Sequence, residues 1–233
     1  MNPSSKLQVI VPAAGRGERM GMKAPKAFLP VAGEPMILRT VKMLAGLGEI
    51  SVLVVLIPPG DRDQAEQILS VFQEGPEIRL VEGGAERTDS VRRGLQAVDE
   101  DAGWIAVHDA ARPFLSADDF RRVFAEARKS GAAIPGVPLK PTIKRVGKNG
   151  LTVHETLPRD VLWEAQTPQI FRRDILLKAY AGAEGSASDD AKLVEDTGVP
   201  VTIVPGSYRN IKITTPEDLS LAELFLREED GYV

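Results

Sequence analysis

Val52-Leu53-Val54-Val55-Leu56-Ile57 constrains the fold more than any other stretch of this chain. The run is far shorter than the about 20 residues needed to cross a bilayer. Its β-branched residues favour extended backbone. A strand that is apolar at every position presents apolar side chains to both faces of its sheet, so both faces must be covered. The flanking segments supply the cover. Met36–Leu47 places Ile37, Val41 and Leu44 on one helical face, with Gly46 and Gly48 as the stop. Asp61–Phe72 repeats Ala65, Ile68, Leu69 and Phe72 at i, i+3, i+4 and i+7, after Pro58-Pro59-Gly60 has ended the strand.

The same rhythm runs through most of the chain. Val9-Ile10-Val11 enters a small-residue loop, and Ile78–Val81 is a short strand leading to Glu82-Gly83-Gly84. A helix follows from about Asp89 to Val98, with Val91, Leu95 and Val98 inward. Strand Trp104–Val107 gives way to His108–Pro113, and Ser116 with Asp119 resembles a capping box opening helix Ala117–Lys129. Ala132–Val137 is the next strand. This alternation predicts an α/β fold: a Rossmann-like, mostly parallel central sheet with right-handed crossovers and helices on both faces.

Between Pro138 and Gln166 the rhythm breaks. Thr142–Val146 and Leu151–Thr156 flank Gly147-Lys148-Asn149-Gly150, a strong hairpin signal. An isolated hairpin is marginal in water, so it must lean on something. The expectation is an arm at about 138–166 reaching a second subunit, the alternative being a flap folded on its own domain. Beyond it, Arg173–Ala181 reads as helix and Gly182–Ser188 as loop, with Ser188 capping a helix Asp189–Asp196. Val201–Val204 reads as strand, Asn210–Ile213 as a short extended stretch, and Thr215-Pro216-Glu217-Asp218 as the opening of a last helix.

Composition narrows the function classes. At 233 residues the chain fits one α/β domain, residues 1–233, with the arm as its appendage. A net charge of −4 offers no basic face for nucleic acid or a membrane surface, though a local cationic pocket remains compatible. The absence of cysteine removes disulfides and thiolate chemistry, and residues 1–6 lack the apolar region of a signal peptide. Both fit a cytoplasmic setting.

In open parallel sheets ligands bind outside the carboxyl ends of the strands. Pro12-Ala13-Ala14-Gly15-Arg16-Gly17 sits there, with Arg19 and Lys26 close behind. Small residues let backbone approach a ligand and cradle phosphate oxygens, and the two cations suit a triphosphate. The loop is neither a P-loop, which closes on Gly-Lys-Ser/Thr, nor a dinucleotide fingerprint, since Met20 stands where the third glycine belongs. Gly83-Gly84 through Ser90, His108–Arg112 and Asn210–Lys212 fall on the same rim. Alone, Gly83-Gly84 reads as a plain turn and His108 as a packed or hydrogen-bonded side chain. Together they describe a site.

Jointly and in order, these motifs resemble the 2-C-methyl-D-erythritol 4-phosphate cytidylyltransferases, which have a glycosyltransferase-A-like nucleotidyltransferase fold. Pro12-Ala13-Ala14-Gly15-x-Gly17-x-Arg19-Met20 with Pro25-Lys26 carries the match. Gly83-Gly84-x-Glu86-Arg87-x-Asp89-Ser90-Val91 and His108-Asp109-Ala110-Ala111-Arg112-Pro113 continue it. Trp163, Thr167-Pro168-Gln169, Asn210-Ile211-Lys212-Ile213-Thr214 and Pro216-Glu217-Asp218 extend it over nearly the whole chain. Arg16 fills a variable slot with no assignable role, and Val161 beside Leu162-Trp163 departs from the family's pattern at the base of the arm, next to Arg159.

The resemblance implies transfer of CMP from CTP to the sugar-alcohol phosphate, with release of pyrophosphate, in non-mevalonate isoprenoid precursor synthesis. It implies that Pro12, Ala13, Ala14 and Gly15 hold ribose and base, that Gly84 and the Ser90 hydroxyl complete a tight pyrimidine pocket, and that Ala110 also binds CTP. Asp109 would hold ribose and help place the second substrate. Arg19 and Lys26 would be catalytic, stabilising charge at the α-phosphate. Thr142, Arg159, Thr167, Lys212 and Arg112 would grip the polyol phosphate, with Thr142 and Arg159 supplied by the partner's arm in a homodimer. Mg²⁺ would bind through triphosphate oxygens and waters, with no direct protein ligand required. The attacking phosphate is already ionised at neutral pH, so positioning and electrostatics can carry the reaction without a strong general base. Ribitol 5-phosphate as second substrate is the nearest alternative, and a non-catalytic nucleotide-binding regulator is a more distant one.

Overall fold

The computed structural model describes residues 5–15, 25–72, 75–148, 150–183 and 185–229. In chain order the strands and helices begin with β1 (Leu7–Pro12), β2 (Pro30–Val31), β3 (Glu34–Pro35), α1 (Met36–Ala45), β4 (Ile50–Ile57), α2 (Arg62–Leu69) and β5 (Glu77–Glu82). They continue with α3 (Arg87–Gln96), β6 (Trp104–Val107), α4 (Ala117–Ser130), β7 (Ala132–Pro138), β8 (Ile143–Val146) and β9 (Val153–Leu157). The remainder is β10 (Trp163–Ala165), β11 (Gln169–Arg172), α5 (Arg173–Ala181), α6 (Asp190–Asp196), β12 (Thr202–Pro205) and α7 (Pro216–Glu229).

One eight-stranded sheet organises the chain, with hydrogen-bonded order β10-β7-β11-β6-β1-β4-β5 and β12 pairing β7. Strands β6, β1, β4 and β5 are mutually parallel. The aliphatic run in β4 is buried on both faces, as its pattern requires. Leu53, Val55 and Ile57 join Val9 and Val11 under α1, α2 and α4, while Val52, Val54 and Leu56 join Ile10 under α3, α5 and α6. This is the period of two of an extended chain, used to fill two cores at once.

The capping signals act locally. Ser116 Oγ accepts the Asp119 N–H at 3.0 Å, and Gly131, at φ +88°, closes α4 in the left-handed conformation that glycine adopts without a Cβ penalty. At α7, Asp218 Oδ2 accepts the Thr214 and Thr215 N–H groups at 2.7 and 2.9 Å, which ties the helix to the strand-like segment before it. A third, smaller core of Val31, Met36, Ala111, Ile213 and Ala222 docks α7 against the β2–β3 hairpin.

Several expectations need correction. The sheet is mostly parallel as expected, β12 beside β7 included, but strands β10 and β11 run antiparallel to β7, and β11 also runs antiparallel to β6. Gln166, Thr167 and Pro168 separate β10 from β11, and the Thr167–Pro168 peptide is cis. These strands are too short for periodicity to reveal them. Asp189, rather than Ser188, caps α6: its carboxylate accepts the Lys192 N–H at 3.0 Å. Residues 210–213 form no strand. They are held by Ile213 N–H to Ala111 C=O at 2.9 Å and by Asn210, whose Nδ2 donates to Thr167 C=O at 2.9 Å and whose C=O accepts from Arg112 Nη1.

Strands β8 and β9 pair only with each other, Ile143 opposite Leu157 and Arg145 opposite Glu155, with an ion pair between the latter two. Most of their side chains are exposed, and Leu151 and Val161 near the hairpin are 88% and 73% exposed.

Candidate functional site

The rim loops are aligned by backbone hydrogen bonds that extend the parallel ladders past the strand ends. Ala13 N–H donates to Leu56 C=O, Gly83 N–H to Ile57 C=O, and Ala110 N–H to Pro12 C=O. The loops after β1, β5 and β6 therefore stand side by side. Between them lies a cavity of about 310 Å³ lined by Pro12, Ala13, Ala14, Gly15, Lys26, Gly84, Arg87, Ser90, Asp109, Ala110 and Lys212, among others. A second recess of about 280 Å³ is lined by Arg112, Gln166, Thr167, Gln169, Ser188 and Asp189, and shares Arg87, Asp109 and Lys212 with the first. A larger hollow of about 500 Å³ between α2 and β5 lies off this rim and brings together none of the motif residues.

Glycine is required where the loops touch. A Cβ on Gly83 would lie 2.5 Å from Ala14 Cβ and 2.8 Å from Ser90 Oγ, and one on Gly84 would lie 2.5 Å from Asp89 Cβ. Ser90 lines the cavity, yet its hydroxyl chiefly shapes the loop: it donates to Glu86 C=O and accepts the Gly84 N–H at 2.9 Å.

The shared wall is a chain of alternating charges. Lys212 Nζ lies 2.7 Å from Asp109 Oδ2, Arg87 Nε lies 3.4 Å from Asp109 Oδ1, and Arg87 Nη2 lies 2.7 Å from Asp190 Oδ2. Burial alone would raise the Asp109 pKa. The Arg87 and Lys212 cations outweigh it and hold the carboxyl well below the usual range, so Asp109 is ionised at neutral pH.

His108 is fully buried, and burial lowers its pKa to about 4, leaving a neutral ring. Neutrality fixes the hydrogens. Nε2 is 3.0 Å from Arg112 C=O, which can only accept, so Nε2 carries the proton and Nδ1 accepts from Thr167 Oγ1 at 3.1 Å. Thr167 Oγ1 in turn accepts the Asp109 N–H at 3.1 Å. The threonine hydroxyl is thus spent on orienting the Asp109 loop.

Arg112 is buried without a carboxylate partner among the described residues. Nη1 donates to Asn210 C=O at 2.6 Å and Nη2 to Ala165 C=O at 3.4 Å, while Nε has no acceptor. Burial lowers its pKa, but guanidinium remains charged at neutral pH. A desolvated cation bordering an open recess suits an anionic ligand. Thr142 and Arg159 line neither cavity; both are exposed, and Arg159 Nη1 donates to Lys140 C=O at 2.9 Å. Arg16 and Arg19 lie outside the described residues. No group of three or more acidic, histidine or cysteine side chains converges on a metal site among the described residues.

A family model for 2-C-methyl-D-erythritol 4-phosphate cytidylyltransferase (IspD) matches residues 7–228. The chain belongs to that family. Its relatives include the enzyme of that name from Frankia casuarinae, 47% identical over 97% of this chain and 84% of the relative. The one from Solibacter usitatus is 41% identical, over 96% and 97%. Among solved structures, the 4-diphosphocytidyl-2C-methyl-D-erythritol synthase of Anaerococcus prevotii superposes with a TM-score of 0.83 at 31% identity, covering 96% of this chain and 97% of that one. The family is one of cytidylyltransferases, so the chain is an enzyme.

Sequence reasoning quoted Arg87 and Gln169 within motifs but gave them no role, and it missed Asp190 and Tyr180. Asp189-Asp190 reads as an ordinary acidic helix start. Nothing in the local pattern says that Asp190 meets Arg87, 103 positions away.

Proposed function

We propose that the chain joins CTP to 2-C-methyl-D-erythritol 4-phosphate in the two cavities described above. A phosphate oxygen of the polyol phosphate attacks the α-phosphorus of CTP. The new P–O bond forms as the bond to the β-phosphate oxygen breaks, and pyrophosphate leaves with that electron pair. The observation that carries this reading is the shared Arg87–Asp109–Lys212 wall between two adjoining cavities, one beside the small-residue loop and Lys26, the other beside buried Arg112.

In the first cavity, Pro12, Ala13, Ala14 and Gly15 offer backbone to ribose and base, Gly84, Ser90 and Ala110 bound a space suited to a pyrimidine, and Asp109 accepts from a ribose hydroxyl. Lys26 and Arg19 stabilise the charge that builds at the α-phosphate. In the second, Arg112 and Lys212 face the polyol phosphate, and Thr167 holds Asp109 in place between the substrates. Mg²⁺ would be held through triphosphate oxygens and waters, and the chemistry it would supply there is charge neutralisation. Thr142 and Arg159 complete the second cavity from the arm of a partner chain in a homodimer. Their exposure, and that of Leu151 and Val161, supports an arm built to be covered. The chain works as one nucleotidyltransferase domain, residues 1–233, with the arm at about 138–166, in the cytoplasm. No described helix is long and apolar enough to cross a membrane.

The test is pyrophosphate release with CTP and either polyol phosphate in parallel. Methylerythritol phosphate should turn over faster, and faster turnover of ribitol 5-phosphate would overturn the substrate assignment. Lys26→Ala should lower kcat about 10²-fold or more with the CTP cavity intact. Unchanged product formation would remove Lys26 from catalysis.

A further inference from the structure

Arg87 is held between two carboxylates, and the contacts are unequal: 2.7 Å to Asp190 and 3.4 Å to Asp109. Asp190 opens α6, has no solvent exposure and lines neither cavity. It is fixed from several sides. The Tyr180 hydroxyl donates to its Oδ1, and Gln169 Oε1 accepts its N–H at 3.0 Å and the Ala191 N–H at 2.9 Å. Gln169 Nε2 donates to Asp189 Oδ2 at 2.8 Å, which ties the capping residue to the same side chain. A carboxylate so anchored makes a strong, charge-assisted hydrogen bond to the guanidinium.

We propose that Asp190 is a positioning residue for nucleotide binding: it draws Arg87 away from Asp109, so that Asp109 keeps an oxygen available to a sugar hydroxyl. The inference rests on the reading that Asp109 holds ribose. Lys212 already occupies Asp109 Oδ2. Without a negative charge at 190, Arg87 is left with Asp109 as its carboxylate partner, and a planar fork of donors can close on it with two nitrogens. Both oxygens would then be saturated by protein cations, and a ribose hydroxyl would have to displace one of them. The nearby Arg92 is engaged elsewhere, by Asp89 Oδ1 at 2.9 Å.

The experiment uses the full chain with Asp190→Asn, Arg87→Gln and the double variant, with KM for CTP and for the polyol phosphate read from pyrophosphate release. Asp190→Asn should raise KM for CTP about tenfold and KM for the polyol phosphate less than about twofold. In the Arg87→Gln background the same change should move KM for CTP by less than about twofold, since no guanidinium remains to be released. An equal effect in both backgrounds, or none in either, would overturn the proposal. Tyr180→Phe keeps the charge and removes one anchor. If Asp190→Asn does not fold, Tyr180→Phe should raise KM for CTP about two- to threefold, again only with Arg87 present. Asp109→Asn separates the two readings. If it raises KM for CTP and Asp190→Asn does not, the inference alone falls; if it leaves KM for CTP unchanged, the ribose reading falls and the inference with it.

Discussion

Acidification offers a quantitative check on the loop that carries Asp109 and Arg112. His108 is fully buried, with a pKa lowered by burial from 6.5 to about 4. Between those values the unfolded chain takes up a proton at residue 108 that the folded chain refuses. The contribution of this group is therefore complete above about pH 6.5, and it is lost progressively as pH falls toward 4. The full span corresponds to roughly 3 kcal/mol, of which about 2 kcal/mol is gone by pH 5. The chain has only two histidines, His108 and the exposed His154, so their ring resonances are readily separated in an NMR titration. The His108 ring should stay neutral down to about pH 4. Urea denaturation of wild type should show a stability loss of about 2 kcal/mol between pH 7.5 and 5 beyond that of His108→Gln, whose amide carries the same two hydrogen bonds without a titratable ring. A native His108 titrating near 6.5, or wild type and variant losing stability in parallel, would refute the assignment of a neutral, desolvated ring.

Three further outcomes test neighbouring features. Thr167→Val keeps the side-chain shape but removes the hydroxyl between His108 and Asp109, leaving two buried groups unpaired; it should cost about 2–4 kcal/mol in urea denaturation, with unchanged m. Gly83→Ala drives a Cβ to within 2.5 Å of Ala14 Cβ. It should destabilise by about 1–3 kcal/mol and raise KM for CTP as the loops after β1 and β5 are pushed apart. Arg159→Ala should weaken the polyol phosphate and leave CTP affinity nearly unchanged, and sedimentation should show a dimer; a fully active monomer would contradict a site shared between chains.

Local features of this sequence were legible where one residue's neighbours in sequence are also its neighbours in space. The aliphatic run of β4 demanded cover on both faces and received it. Ser116 with Asp119 and Thr215 with Asp218 begin helices through contacts a few residues long. The rim motifs could be assigned to one site because parallel strands bring their carboxyl ends to one edge, and their joint resemblance to a family supplied the substrates.

The tertiary structure decided what depends on long-range contact. Antiparallel β10 and β11 are too short to show a period, and they are stabilised by pairing with β6 and β7 rather than by their own pattern. Thr167, expected to grip substrate, has its hydroxyl engaged by residues almost 60 positions away. Arg87 became central only once the fold placed Asp109 on one side of it and Asp190 on the other. A charge's role is set by the charges and the solvent around it, and those are fixed by packing, not by spacing along the chain.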